Sequence, residues 1–143
     1  MTDQGHQNPS DETIRGLLEK VRRIAVVGLS PKPERDSNRV ARYLQERGYE
    51  IVPVYPRGDE ILGQKVYQSV QEIPGGVDLV DVFRRGEDLP VVVEDVLAAK
   101  APAVWFQLDC VNQEAARAAT DAGMTVVMDR CILVEHSRLL GRS

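Results

Sequence analysis

Arg23-Ile-Ala-Val-Val-Gly-Leu29, followed at once by Ser30-Pro-Lys-Pro-Glu-Arg-Asp-Ser37, decides the fold. The first seven residues form an almost unbroken, β-branched-rich apolar run, the composition of a strand covered on both faces rather than of one with a wet side. The two prolines and the charges of the next eight residues forbid regular structure there. Asp36 or Ser37 can then cap a helix whose Val40, Ala41 and Leu44 share one face and which Gly48 ends. A buried strand, a polar loop and a helix make the opening unit of a parallel α/β sheet.

Upstream, Ser10 is a good N-cap, and Asp11 and Glu12 sit where the helix dipole favours anions. Ile14, Leu17, Leu18 and Val21 form one stripe, and Lys20, Arg22 and Arg23 close the last turn, so a short amphipathic helix leads into the first strand. Residues 1–9 offer nothing to bury and predict a disordered tail with His6 as a bystander. Downstream the pattern recurs: strand Glu50 to Tyr55, strand Val77 to Phe83, helix Glu87 to Lys100, and strand Ala103 to Leu108. An Ala-rich helix capped by Asn112 and stopped by Gly123, then strand Met124 to Met128, complete the series. Strands alternating with helices, without two-residue hairpin turns, predict a doubly wound α/β sheet of about five parallel strands in a single domain over 10–143. Residues 56–76 hold only a short helix, Ser69 to Ile73, and are otherwise irregular. Pro53, which lacks a ladder donor, predicts a bulge or an early end to the second strand.

Lys and Arg number 18 against 22 Asp and Glu over 143 residues, a net charge of -4. That balance is opposite to the footprint of bulk nucleic-acid or anionic-membrane binding, so an anionic ligand must be met locally. No apolar run approaches a membrane span and the start lacks a secretory pattern, which predicts a cytoplasmic protein whose two cysteines are reduced thiols.

Ligands of open parallel sheets bind beyond the carboxyl ends of the strands where the strand order reverses, which singles out the loop from Gly28 to Asn38. Gly28 permits a tight turn, and the helix starting near Ser37 turns its unpaired N–H groups toward the crevice. Ser30, Ser37, Asn38, Lys32, Arg35 and Arg39 add hydroxyls, an amide and cations suited to a phosphate. The G-x-G-x-x-G dinucleotide fingerprint is missing, since Ser30 and Pro31 follow Gly28-Leu29, and the second strand ends Val54-Tyr55-Pro56-Arg57 without the carboxylate that pairs with a ribose diol. Arg57 suits a phosphorylated ribose instead. Phe83, Arg84 and Arg85 close the third strand, where an aromatic ring and two cations can meet a base edge or a phosphate, or serve as packing and solvated charge. Gln107 can bond an amide-rich ligand or tie down a loop. No P-loop, nucleophile elbow or C-x-x-C occurs. Cys110 and Cys131 each follow a strand and so fall on the crevice side, as small packing residues or as thiols near a bound ligand. Asp109, Asp129 and Glu135-His136 define no acid–base pair without a substrate geometry.

Gly28-Leu-Ser-Pro31 with Arg35, Ser37 and Arg39, Arg42-Tyr-Leu-Gln-Glu-Arg-Gly-Tyr49, Pro53-Val54 with Pro56, Val80-Asp-Val-Phe-Arg84, Val104-Trp-Phe-Gln-Leu108 with Asn112, and Asp129-Arg-Cys131 with Glu135-His136 resemble the small CoA-binding domain proteins of the YccU type. The resemblance covers residues 12–140. It implies a Rossmann-like fold akin to the CoA-binding domain of succinyl-CoA synthetase α chains, with coenzyme A or an acyl-CoA held by the first loop and by the ends of strands two and three. Carried over position by position, the implied contacts are Gly28, Ser30, Pro31, Ser37, Arg39, Pro56, Arg57, Phe83 and Arg84. Tyr55 departs from the Asn usual in the family, and Asp109-Cys110 stands where Gly is common. The chain has no counterpart of the synthetase's phosphohistidine or nucleotide-grasp domains. A stand-alone CoA- or acyl-CoA-binding module, a carrier, sensor or regulatory subunit with no chemistry of its own and no protein partner identified, is the leading expectation. Its rivals are an NADP- or acyl-CoA-dependent enzyme using the same crevice and a protein-interaction module with a vestigial site.

Overall fold

The computed structural model describes residues 5–141. Helix α1 (Asp11–Lys20) begins at Ser10, whose hydroxyl accepts from the Thr13 amide, as its N-cap chemistry predicts. Strand β1 (Arg23–Val27) is the predicted apolar run, and helix α2 (Asp36–Glu46) follows the polar loop. Then come β2 (Glu50–Val54), β3 (Glu60–Ile61), β4 (Gln64–Lys65) and β5 (Leu79–Val82). The chain continues through α3 (Leu89–Ala98), β6 (Ala103–Phe106), α4 (Gln113–Asp121), β7 (Thr125–Met128) and α5 (Ile132–Leu140).

Five strands pair in parallel in the order β2-β1-β5-β6-β7. This is the expected α/β, Rossmann-like doubly wound sheet. Alternation along each strand divides the core in two. Ala25, Val27, Val80, Val82, Val104 and Phe106 pack on one face with the apolar sides of α3 and α4. Ile24, Val26, Leu79, Trp105 and Val127 pack on the other with α1, α2 and α5. The order reverses between β1 and β5, whose carboxyl ends, Gly28 and Phe83, therefore flank the crevice.

Structure and expectation differ at four points. Pro53 makes no bulge: β1 and β2 stay in register from Arg23↔Glu50 to Val27↔Val54. The carbonyl of Pro53 accepts from the Tyr67 amide, outside the β1–β2 ladder, so its missing N–H falls on the outer edge and no β1–β2 bond is lost. Residues 56–76 are largely irregular, with a short helical turn at Val70–Glu72 as expected, but β3 and β4 add an unforeseen antiparallel hairpin with Leu62 and Gly63 at φ 54° and 77° between them. A leucine in a left-handed turn gives no Asn-Gly type signal to read. Helix α5 was not anticipated, although Ile132, His136 and Leu139 to Leu140 repeat at helical spacing and Ile132 and His136 are buried. Finally, residues 1–4 of the expected tail lie outside the described residues, but from Gly5 the chain is tied to β7. The Asn8 side chain donates to the Met128 carbonyl at 2.9 Å and accepts from its amide at 2.8 Å. His6 Nε2 lies 3.0 Å from the Val126 carbonyl. The two residues occupy backbone groups on an otherwise open sheet edge.

Candidate functional site

The first loop is built from its own side chains. The Ser37 hydroxyl accepts from the Ser30 amide at 3.0 Å, Asn38 donates to the Ser30 carbonyl at 2.8 Å, and Arg42 holds both Asn38 and the Pro33 carbonyl. Ser37 and Asn38 are buried, and they spend their polar groups fixing the loop. The start of α2 has no side-chain cap, so its first amides stay turned toward the loop. Gly28 has φ 86°, and a Cβ there would lie 2.3 Å from the Phe83 carbonyl oxygen. Only glycine allows β1 and β5 to end this close together.

Three cavities meet at Phe83. The first, about 870 Å³, lies between the end of β2 and α3, with Tyr55, Pro56, Val91 and Val92 as apolar walls. The second, about 540 Å³, lies over the first loop and is lined by Ser30, Lys32, Glu34, Arg35, Asp36 and Ser37 as well as Gly28, Tyr55 and Phe83. Among the described residues, Lys32 and Arg35 have no carboxylate partner. The third, about 500 Å³, runs between α2 and α5 past the ends of β5 and β6. Arg39 faces this third cavity and pairs with Asp36 at 3.3 Å, and Arg84, shared between the first and third, pairs with Asp88 at 3.2 Å.

Of the residues singled out in the sequence, Gly28, Ser30, Ser37, Arg39, Pro56, Phe83 and Arg84 all line one or more of these cavities. Pro31 and Arg57 are exposed and line none of the three. Gln107 ties down a loop: its Oε1 accepts from the Ile132 amide at 3.0 Å and fixes the start of α5. Cys110 is buried, its thiol 3.6 Å from the Val82 carbonyl, and burial pushes its pKa up. Cys131 is partly exposed in the third cavity. The sequence reading missed the wall of the first cavity formed by Gln68, Ser69 and Val91. Its one readable sign was Val91, an aliphatic residue outside the inward face of α3.

The family model described as a CoA binding domain matches residues 22–137. The chain belongs to the CoA-binding domain family. Its relatives include the uncharacterized protein YneT of Bacillus subtilis, 49% identical over 131 residues that cover 92% of this chain and 97% of YneT. A hypothetical protein from Pyrococcus horikoshii OT3 has the same fold, with a TM-score of 0.91, 42% identity and 99% of each chain covered. The α subunit of the ADP-forming acetate–CoA ligase II of Pyrococcus furiosus is 46% identical over 59 residues, 41% of this chain but 13% of that subunit. The family segment begins just before β1 and runs into α5, so it takes in all three cavities of the CoA-binding domain. Among the described residues no helix is long and apolar enough to cross a membrane, and no group of His, Cys, Asp and Glu is arranged to hold a metal.

Proposed function

We propose that the chain binds coenzyme A, free or acylated, as a stand-alone cytoplasmic module. The observation that carries this reading is the meeting, at Phe83 on the strand-order reversal, of one cavity holding the cations Lys32 and Arg35, which have no carboxylate partner, with two that offer apolar walls. Coenzyme A has three parts of matching character: an adenosine, a run of phosphates and a pantetheine arm. Tyr55, Pro56 and Val91 offer the planar and aliphatic surfaces an adenine ring takes. The start of α2 with Ser30, Ser37, Lys32 and Arg35 is the part suited to phosphate oxygens, by aligned N–H groups and by charge. Asp36 opposes an anion there, but Arg39 neutralises it, and Lys32 and Arg35 outweigh Glu34. Pro31 stiffens the loop, and exposed Arg57 beside Pro56 is the cation available to a ribose phosphate. Phe83 and Arg84 stand where the pantetheine arm would leave the phosphates.

The ligase subunits in which a related segment occurs are several times longer, and their activity is a property of those proteins. Native mass spectrometry of the protein released gently from cells tests the binding reading. A retained mass equal to coenzyme A or an acyl-CoA, lost on denaturation, is expected. A retained NADP in its place, or failure to retain coenzyme A added in excess, would overturn it.

A further inference from the structure

The third cavity differs from the other two in what its polar groups are already doing. Arg39 is paired with Asp36, Arg84 with Asp88, and Arg85 with Glu87. Gln107 is spent on the start of α5, and the Cys110 thiol points at a strand carbonyl. Apart from the exposed carboxylate of Asp109, which would repel an anionic acyl end, what is left to meet a ligand is apolar or weakly polar: buried Val40 and Cys110, partly exposed Cys131, and at the mouth Leu108 and Val134. These last two are large aliphatic side chains 59% and 54% exposed, facing one hollow from different elements, the β6 end and α5. Water-exposed aliphatic surface on both lips of a cavity is what a hydrocarbon chain would cover.

The cavity also adjoins the proposed coenzyme site. It shares Phe83 with both other cavities, Arg84 with the first and Asp36 with the second. A pantetheine arm leaving the first loop past Phe83 therefore has its sulfur end directed toward Val40, Cys131 and Val134. We propose that this cavity receives the acyl group of a thioester, and that the ligand class is acyl-CoA with a short unbranched hydrocarbon chain rather than free coenzyme A. The inference rests on the coenzyme A reading of the adjoining cavities. It selects against acyl groups ending in a carboxylate, because the three arginines of the rim already have acidic partners.

Calorimetric titration of the full chain with coenzyme A and its acetyl, butyryl, hexanoyl and succinyl thioesters is the test. Affinity should rise about two- to fourfold per methylene from acetyl to hexanoyl, the gain expected for taking CH₂ groups out of water. Succinyl-CoA should bind more weakly than butyryl-CoA. Val134→Phe, which fills the cavity from an exposed position, should flatten the rise from acetyl to hexanoyl. Leu108→Ser, which removes one apolar lip without adding bulk, should shallow the rise and provides a second reading if the first variant folds poorly. A flat series with intact coenzyme A binding, or succinyl-CoA binding tighter than butyryl-CoA, overturns the acyl proposal alone. Failure of every thioester and of coenzyme A itself overturns the underlying reading and the acyl proposal together.

Discussion

Asp81 stands in the middle strand of the sheet, opposite Val26 on one side and Trp105 on the other, wholly buried and with neither carboxyl oxygen bonded. Burial alone holds its pKa well above the ordinary carboxylate range, so the folded chain keeps a proton that the unfolded chain releases above about pH 4. The native state then binds more protons, and this group's contribution to stability is complete below that pH and is lost as pH rises toward the raised folded value. The urea midpoint of Asp81→Asn, taken relative to that of the natural chain, should therefore be higher at pH 8 than at pH 5. An equal difference at both pH values would show that Asp81 is not a neutral buried acid. Arg57 is the cation proposed for the ribose phosphate. It is exposed beside Pro56, and if it reads the ribose phosphate, Arg57→Ala should weaken coenzyme A about tenfold and dephospho-CoA hardly at all. Equal losses for the two ligands in a titration would reject that role. Both residues were visible in the sequence, yet only one property of each could be read there. Asp81 lay inside an apolar run, but nothing in the run says whether a partner reaches it. Arg57 followed a strand, but not in which direction it leaves the chain.

The elements were legible where one physical signal acted alone. β1, α1 and α4 follow from an apolar run, a helical stripe and an Asn112 cap whose side chain does accept from the Ala115 amide. They were less legible where tertiary contacts decide. The β3–β4 hairpin turns at Leu62, whose carbonyl is held by Gln45 of α2, and no local propensity anticipates that. The ordering of residues 5–9 likewise depends on β7, more than a hundred residues away. Asn8 satisfies both the amide and the carbonyl of Met128, as a neighbouring strand would. Asn8→Ala should accordingly cost about 1–2 kcal/mol in denaturant unfolding and speed amide exchange at Met128 more than at residues of β1. Unchanged exchange at Met128 would mean that the segment merely rests on the edge.

For the molecule as a whole, the parallel order β2-β1-β5-β6-β7 brings loops from distant parts of the chain to one end, and Gly28 lets the first of them approach Phe83. The sequence located this crevice because strand alternation fixes it in any doubly wound sheet. It did not reveal that three separate cavities share Phe83, since their depth depends on how α3 and α5 lie over the strand ends. An acidic chain that binds a polyanion must do so with a few local cations, so affinity for coenzyme A should fall as salt rises from about 50 to 200 mM. The measurement that bears most directly on the central claim is a calorimetric comparison of coenzyme A with NADP on the same preparation. Each carries an adenosine with a ribose phosphate and a pyrophosphate, but only one carries a pantetheine arm. The account predicts saturable binding of one coenzyme A per chain and no comparable binding of NADP; tight NADP binding without coenzyme A binding would contradict it.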